Sequence, residues 1–154
     1  MVEDQNNLNN TVEANVAAMR RWYEEVWNQR RVETIYELAA PDCLINGVSE
    51  DGQILRGLDA FAEVHKRLIT AFPDMKLVVE DCFGAGDKVL VRWSGTMHHT
   101  GEGLGMEPTG ALLKLTCVSV VRFADGKAVE SWDEWDKMAM FQQIEAGRVK
   151  AASA

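Results

Sequence analysis

The sequence predicts an α+β domain with its helices first and a meander of long strands after them, and three observations carry this. Apolar residues recur at helical spacing through the first half, the period changes to alternation from Met75 onward, and an Asp125-Gly126 turn signal separates the last two alternating runs. Helices gathered on one face of a curved antiparallel sheet leave a cone-shaped barrel wrapped around the N-terminal helix, with a mouth that can hold a ligand.

Each element has its own signal. The polar tract 6–10 (NNLNN) reads as a frayed lead-in, with Asn10 placed to cap the first helix and Glu13 three residues on to complete a capping box. Val12, Val16, Met19, Tyr23 and Val26 form the helix stripe, Trp22 and Trp27 widen it, and the helix should end near Asn28. Val32, Ile35, Tyr36 and Ala39 predict a second helix, stopped at the Ala40-Pro41-Asp42 breaker because a residue before proline avoids helical geometry. A short extended piece over 43–46 and a turn-rich stretch over 47–52 follow. Asp59 is placed to cap a third helix, whose stripe is Phe61, Val64, Leu68, Ile69 and Phe72.

Strands are predicted over 75–84, 88–99, 112–123 and 127–135. Between the second and third of these, the stretch 100–110 (TGEGLGMEPTG) holds four glycines and a proline and reads as an exposed loop. A final helical turn or two is expected over 137–146. The division expected is a flexible lead over 1–10, one domain over 11–147 and a flexible tail over 148–154.

Composition narrows the function. The 154 residues correspond to about one domain. No apolar run approaches the roughly 18 residues of a membrane span, and the N-terminus has no signal-peptide pattern, so a cytoplasmic protein without a membrane partner is expected. With 24 acidic against 16 basic residues the net charge is −8, and the cations are dispersed, which disfavours nucleic acid. Cys43, Cys82 and Cys117, odd in number and without CxxC spacing, fit a reducing compartment and read as small buried hydrophobes. Three histidines, two of them adjacent and so on opposite faces, offer no metal-ligand triad.

Strand alternation selects the inward residues. Val89, Val91, Trp93, Met97 and His99 share one face, and Lys88, Arg92, Ser94 and His98 the other. In the hairpin at Asp125-Gly126 a one-residue change swaps the faces that coincide. A three-residue connection with a glycine bulge would bring Arg122 and Glu130 onto one outer face. It would set Cys117, Ser119, Val121 and Phe123 with Val129, Ser131, Asp133 and Trp135 on the inner one. A two-residue loop would instead put Arg122 on the face of Val129. The first arrangement is preferred, and it places Asp133 among apolar neighbours, where loss of hydration should raise its pKa towards that of a general acid or base. The alternative is a solvated strand-end carboxylate, or a hydrogen-bonding anchor for Trp22 or Trp27.

The segments 57–61 (GLDAF), 71–74 (AFPD) and 105–110 (GMEPTG), with Asp125-Gly126-Lys127 followed by Glu130, Trp132, Asp133 and Asp136, resemble SnoaL-like polyketide cyclases of the nuclear transport factor 2-like superfamily. The resemblance spans nearly the whole folded chain. It implies an intramolecular aldol closure on a hydrophobic carbonyl compound without metal or cofactor. The aspartate eight residues after the hairpin aspartate, Asp133 here, would act as acid and base. A histidine that accompanies this aspartate in the family falls on Ser119. His99 could take its role or could cap its own loop; His98 should face outward and His65 lie at the rim.

Asn46 and Trp27 resemble cavity-lining positions, each with a plainer reading as a turn amide and a core aromatic. Trp22, Trp93, Trp132 and Trp135 could stack on a planar ligand or simply pack the core. An isomerase of the ketosteroid type would need a base where Gly47 stands. An epoxide hydrolase would need an inward arginine, whereas Arg92 and Arg122 fall outside. The rival class is a non-enzymatic protein of the same fold, holding a small apolar ligand or serving as a dimerisation module. A homodimer or higher homo-oligomer through the strand surface opposite the helices is expected from the resemblance.

Overall fold

The apolar stripe through Val16, Met19 and Tyr23 winds into α1 (Val2–Arg21), which runs on into a π-helical segment (Trp22–Asn28) in the computed structural model. The structure describes residues 2–153, with side chains over 11–153. The helix starts ahead of Asn10, so the expected cap position lies inside it; the side chain of Asn10 is outside the described ones. The stripe ends at Asn28 as expected. There the Gln29 N–H donates to the Glu24 carbonyl at 2.9 Å and the Arg31 N–H to the Glu25 carbonyl at 2.8 Å, wider loops than an α-helix makes. Bonding to the fifth residue sets Trp22 and Trp27 one above the other, which is why two tryptophans share the buried face.

The second helix, α2 (Val32–Leu38), gives way to β1 (Ala39–Asn46), longer than the extended piece expected from Cys43. Pro41 is accommodated because the β1 ladder is irregular between Ala39 and Leu44, where no ladder N–H is required of it. A two-residue β2 (Leu55–Arg56) pairs with β1. The third helix, α3 (Leu58–Ala71), starts at Gly57 without a side-chain cap, and Asp59 instead accepts the Tyr36 hydroxyl at 2.7 Å. The meander then follows as β3 (Lys76–Ala85), β4 (Lys88–His98), β5 (Leu112–Ala124) and β6 (Lys127–Trp135), close to the expected bounds. Gly101 donates to the Ala71 carbonyl at 3.0 Å, so the glycine-rich loop is seated on the end of α3 rather than exposed throughout. The last helix, α4 (Lys137–Ala152), is full length and takes in most of the expected tail. Asp136 caps it, accepting from the Ala139 N–H at 2.8 Å, and helix-forming residues carry it on.

One six-stranded sheet results, in the order β2-β1-β6-β5-β4-β3, with β1 parallel to β6 and the other neighbours antiparallel. The helix α1 and its π-helical end pack across β3 and β4, α3 against β1 and β2, and α4 on β5. Val26, Ile35, Val91 and Leu113 are fully buried between the layers. All three cysteines are free, Cys43 and Cys117 buried and Cys82 half-buried. Among the described residues no helix is long and apolar enough to cross a membrane.

The β5–β6 hairpin differs in detail from the expectation and agrees in consequence. Ala124 pairs with Lys127, leaving a two-residue turn in which Asp125 and Gly126 have φ of 51° and 74°, the mirror-image turn that suits twisted strands. The extra residue enters one step later. Phe123 faces Ala128 and Arg122 faces Glu130, so Val129 is the bulge and buried Ala128 takes the inner place expected of Val129. Beyond the bulge, Ser119 faces Asp133 and Cys117 faces Trp135.

Gly47, just past β1, has φ of 87°, and a Cβ there would stand 2.3 Å from the backbone oxygen of Asp133. Gly47→Ala is therefore expected to cost about 1–3 kcal/mol in denaturant unfolding. An unchanged midpoint would show that the chain ends of β1 and β6 are not held this tightly.

Candidate active site

Parity beyond the Val129 bulge turns Ser131 and Asp133 to the inner face of β6 and Ser119 of β5 directly opposite. Ser119 is 1% exposed. Its Oγ donates to Asp133 Oδ1 at 2.5 Å and accepts from the Tyr23 hydroxyl at 3.0 Å, with Trp93 Nε1 further off at 3.4 Å. The directions follow from the groups: an indole N–H can only donate and a carboxylate can only accept, so the serine proton goes to Asp133. Ser131 Oγ donates to Oδ2 at the longer distance of 3.2 Å. The second carboxyl oxygen is thus the more loosely held.

Burial raises the Asp133 pKa, and the Ser119 and Ser131 hydrogen bonds oppose that shift without cancelling it. Burial and then the Asp133 charge raise Tyr23 well above its ordinary value and push Cys117 up to about 12, so both stay protonated. Asp133 lines a cavity of about 50 Å³ whose other walls include Met19, Trp22, Tyr23, Trp27 and Phe61. That volume admits a few waters. Trp22 lies against Phe61, ring centres 5.2 Å apart.

The remaining expected site residues divide. Trp93 and Trp135 line a neighbouring apolar cavity, and Trp135 Nε1 also donates to the Gly47 carbonyl at 2.8 Å. Asn46 is not brought to the cavity. Its amide donates to the Ser131 carbonyl at 2.8 Å and ties β1 to β6, the turn-amide reading. His99 is fully buried, with Nδ1 3.0 Å from Thr109 Oγ1 and its ring against Phe72, so it holds its own loop rather than meeting Asp133. His98 faces outward, 2.6 Å from Asp74.

His65 corrects the rim expectation. It is fully buried, its Nε2 lies 2.7 Å from the Val26 carbonyl, and its ring lies 4.9 Å from that of Trp27. The wide π-helical turn leaves that carbonyl for a side chain to satisfy. Arg92 and Arg122 lie outside, paired with Asp81 and Glu130. Among the described residues no cluster of three or more potential ligands is placed to hold a metal ion.

Two site residues escaped the sequence reading, Tyr23 and Ser131. The signal for Tyr23 was a hydroxyl on a buried helical stripe, which must find a partner inside.

The family model described as SnoaL-like polyketide cyclase matches residues 17–144. Among solved structures, a protein of Jannaschia sp. CCS1 assigned as a SnoaL-like polyketide cyclase is 25% identical at a TM-score of 0.80, over 88% of this chain and 94% of that one. IdmH of Streptomyces antibioticus, assigned as a polyketide cyclase, is 30% identical at a TM-score of 0.72, over 85% and 98%. TsrD of Streptomyces laurentii, 19% identical over 87% and 96% at a TM-score of 0.75, shares the fold. No curated protein gives a significant match.

A carboxyl with a raised folded pKa stabilises the fold fully below its unfolded value of about 3.9, and that contribution is lost as pH rises through the folded pKa. Unfolding of wild type and Asp133→Asn compared from about pH 4 to 8 should therefore show wild type losing stability relative to the variant as pH rises, then levelling. A wild-type advantage that grows with pH would mean a paired structural carboxylate instead.

Proposed function

We propose that this chain, which belongs to the SnoaL-like polyketide cyclase family, is a cofactor-free acid/base enzyme that closes a ring by intramolecular aldol condensation on a hydrophobic carbonyl compound. The observation that carries this reading is the Asp133 carboxyl at the wall of an apolar cavity, raised in pKa by burial and oriented through Oδ1 by Ser119. Oδ2, held more loosely by Ser131 at 3.2 Å, is the oxygen for proton transfer.

The ionised carboxylate takes a proton from a carbon flanked by carbonyls, and the electron pair delocalises as an enolate in the substrate. That carbon bonds to a second carbonyl carbon of the same molecule, whose π pair becomes an alkoxide. The neutral carboxylic acid then returns the proton to the alkoxide, which restores Asp133. Ser119 follows both states, because its hydroxyl proton can turn to whichever neighbour accepts it. The free cysteines fit a cytoplasmic setting.

One observation favours the rival reading of a ligand-holding protein without catalysis: both carboxyl oxygens already have serine donors. Deuterium exchange at the doubly activated carbon of ethyl acetoacetate, followed by proton NMR in deuterium oxide, separates the two. Wild type should exceed buffer, and Asp133→Asn should lose about 10²–10⁴-fold of the protein-dependent rate. Equal rates for the two proteins would remove the acid/base role.

We further propose that the outer sheet face pairs with a second copy of the chain. Leu90, Val120 and Trp132 lie side by side across β4, β5 and β6, with Val118 next to them. The flanking Arg92–Asp81 and Arg122–Glu130 pairs neutralise themselves. Sedimentation velocity should show a dimer in wild type and a monomer for Val118→Lys combined with Trp132→Lys; a monomeric wild type would overturn this.

A further inference from the structure

Beside the Asp133 cavity lies a second one of about 60 Å³, walled by side chains that include Leu68, Met75, Met97, Leu115, Trp135 and Met140. Trp27 and Val48 line both cavities. Strand geometry sets the two end to end: Ser131 and Asp133 border the first, and Trp135, the next residue on that side of β6, borders the second. The first cavity holds a carboxyl and the second no charged side chain. Three methionines line the second, and their unbranched thioether chains adapt to an irregular guest.

The shared wall is supported from behind. Trp27 meets His65 at 4.9 Å and stands perpendicular to Phe61 at 5.9 Å, and the His65 contact to the Val26 carbonyl fixes the π-helical turn that carries the indole. π-Helical geometry is frequent at functional positions. Each cavity alone is far below the few hundred Å³ of a typical small-molecule site. Displacing the Trp27 ring would join them into one elongated chamber with a carboxyl at one end only.

We infer that the two cavities are the halves of a single ligand site, taking a carbonyl head at Asp133 and an unbranched apolar tail in the methionine-lined half, with Trp27 the residue that sets how long a tail is admitted. The placing of the head rests on the acid/base reading of Asp133; the tail site does not.

Calorimetric titration with methyl ketones from pentanone to nonanone tests this by binding alone. Wild-type Kd should fall about fourfold per added methylene, the value of burying each one, until the second half is full. Leu115→Trp, which fills that half only, should leave pentanone binding within about twofold and abolish the length dependence. Trp27→Phe, the milder change should Leu115→Trp not fold, should tighten nonanone binding by threefold or more relative to pentanone. Asp133→Asn should keep the full length dependence, which separates failure of the tail site from failure of the acid/base reading. A Kd independent of length in wild type, a length dependence that survives Leu115→Trp, or nonanone binding weakened relative to pentanone by Trp27→Phe would each overturn the inference.

Discussion

The Ser119–Asp133 hydrogen bond of 2.5 Å is the contact on which the interior of the cone is organised. A carboxyl turned into an apolar layer is costly unless donors reach it, and the network that supplies them here draws on three elements. Ser119 stands opposite on β5, Ser131 two residues back on β6, and Tyr23 reaches Ser119 from the π-helical end of α1. Each of these elements is thereby committed to one position relative to the others. The Tyr23 hydroxyl could not be buried where it is without Ser119 to accept from it.

That contact exists only because of a single residue. Val129, the bulge, restores the parity that the two-residue Asp125-Gly126 turn would have broken. Without it Asp133 would face solvent and Trp132 the interior, since one residue of slip moves every side chain of a strand to the other face. Gly47 serves the same end from the neighbouring strand, letting the chain pass within contact of the Asp133 backbone while its carbonyl receives Trp135.

The π-helical segment plays the corresponding part on the helical side. Its wide turn puts Trp22, Tyr23 and Trp27 on the lining of one cavity. It also leaves the Val26 carbonyl for a buried histidine to satisfy. His65 is thus a support of the cavity wall, and His99 a support of the loop on α3; neither approaches the carboxyl. The serine that stands at the histidine position of the resemblance gives the aspartate an orienting donor that carries no charge of its own.

Periodicity alone was enough for the helices-then-strands order, the four long strands within a residue or so, and the inward face of β4, because burial imposes its period on the sequence. The inward side of Asp133 was legible too, from pairing Arg122 with Glu130, although the chain reaches that pairing by a two-residue turn and a bulge one step later instead of the expected three-residue connection. Tertiary structure decided the rest. Whether Asn46 lines a cavity or ties two strands, whether His65 sits at a rim or beneath a tryptophan, and whether His99 meets Asp133 or Thr109 depend on which elements lie across from them. Those are contacts between residues far apart in the chain, set by packing, and local spacing carries no record of them. The hydroxyl of Tyr23 marks the boundary: its inward direction was written in the helical period, and its partner 96 residues away was chosen by the fold.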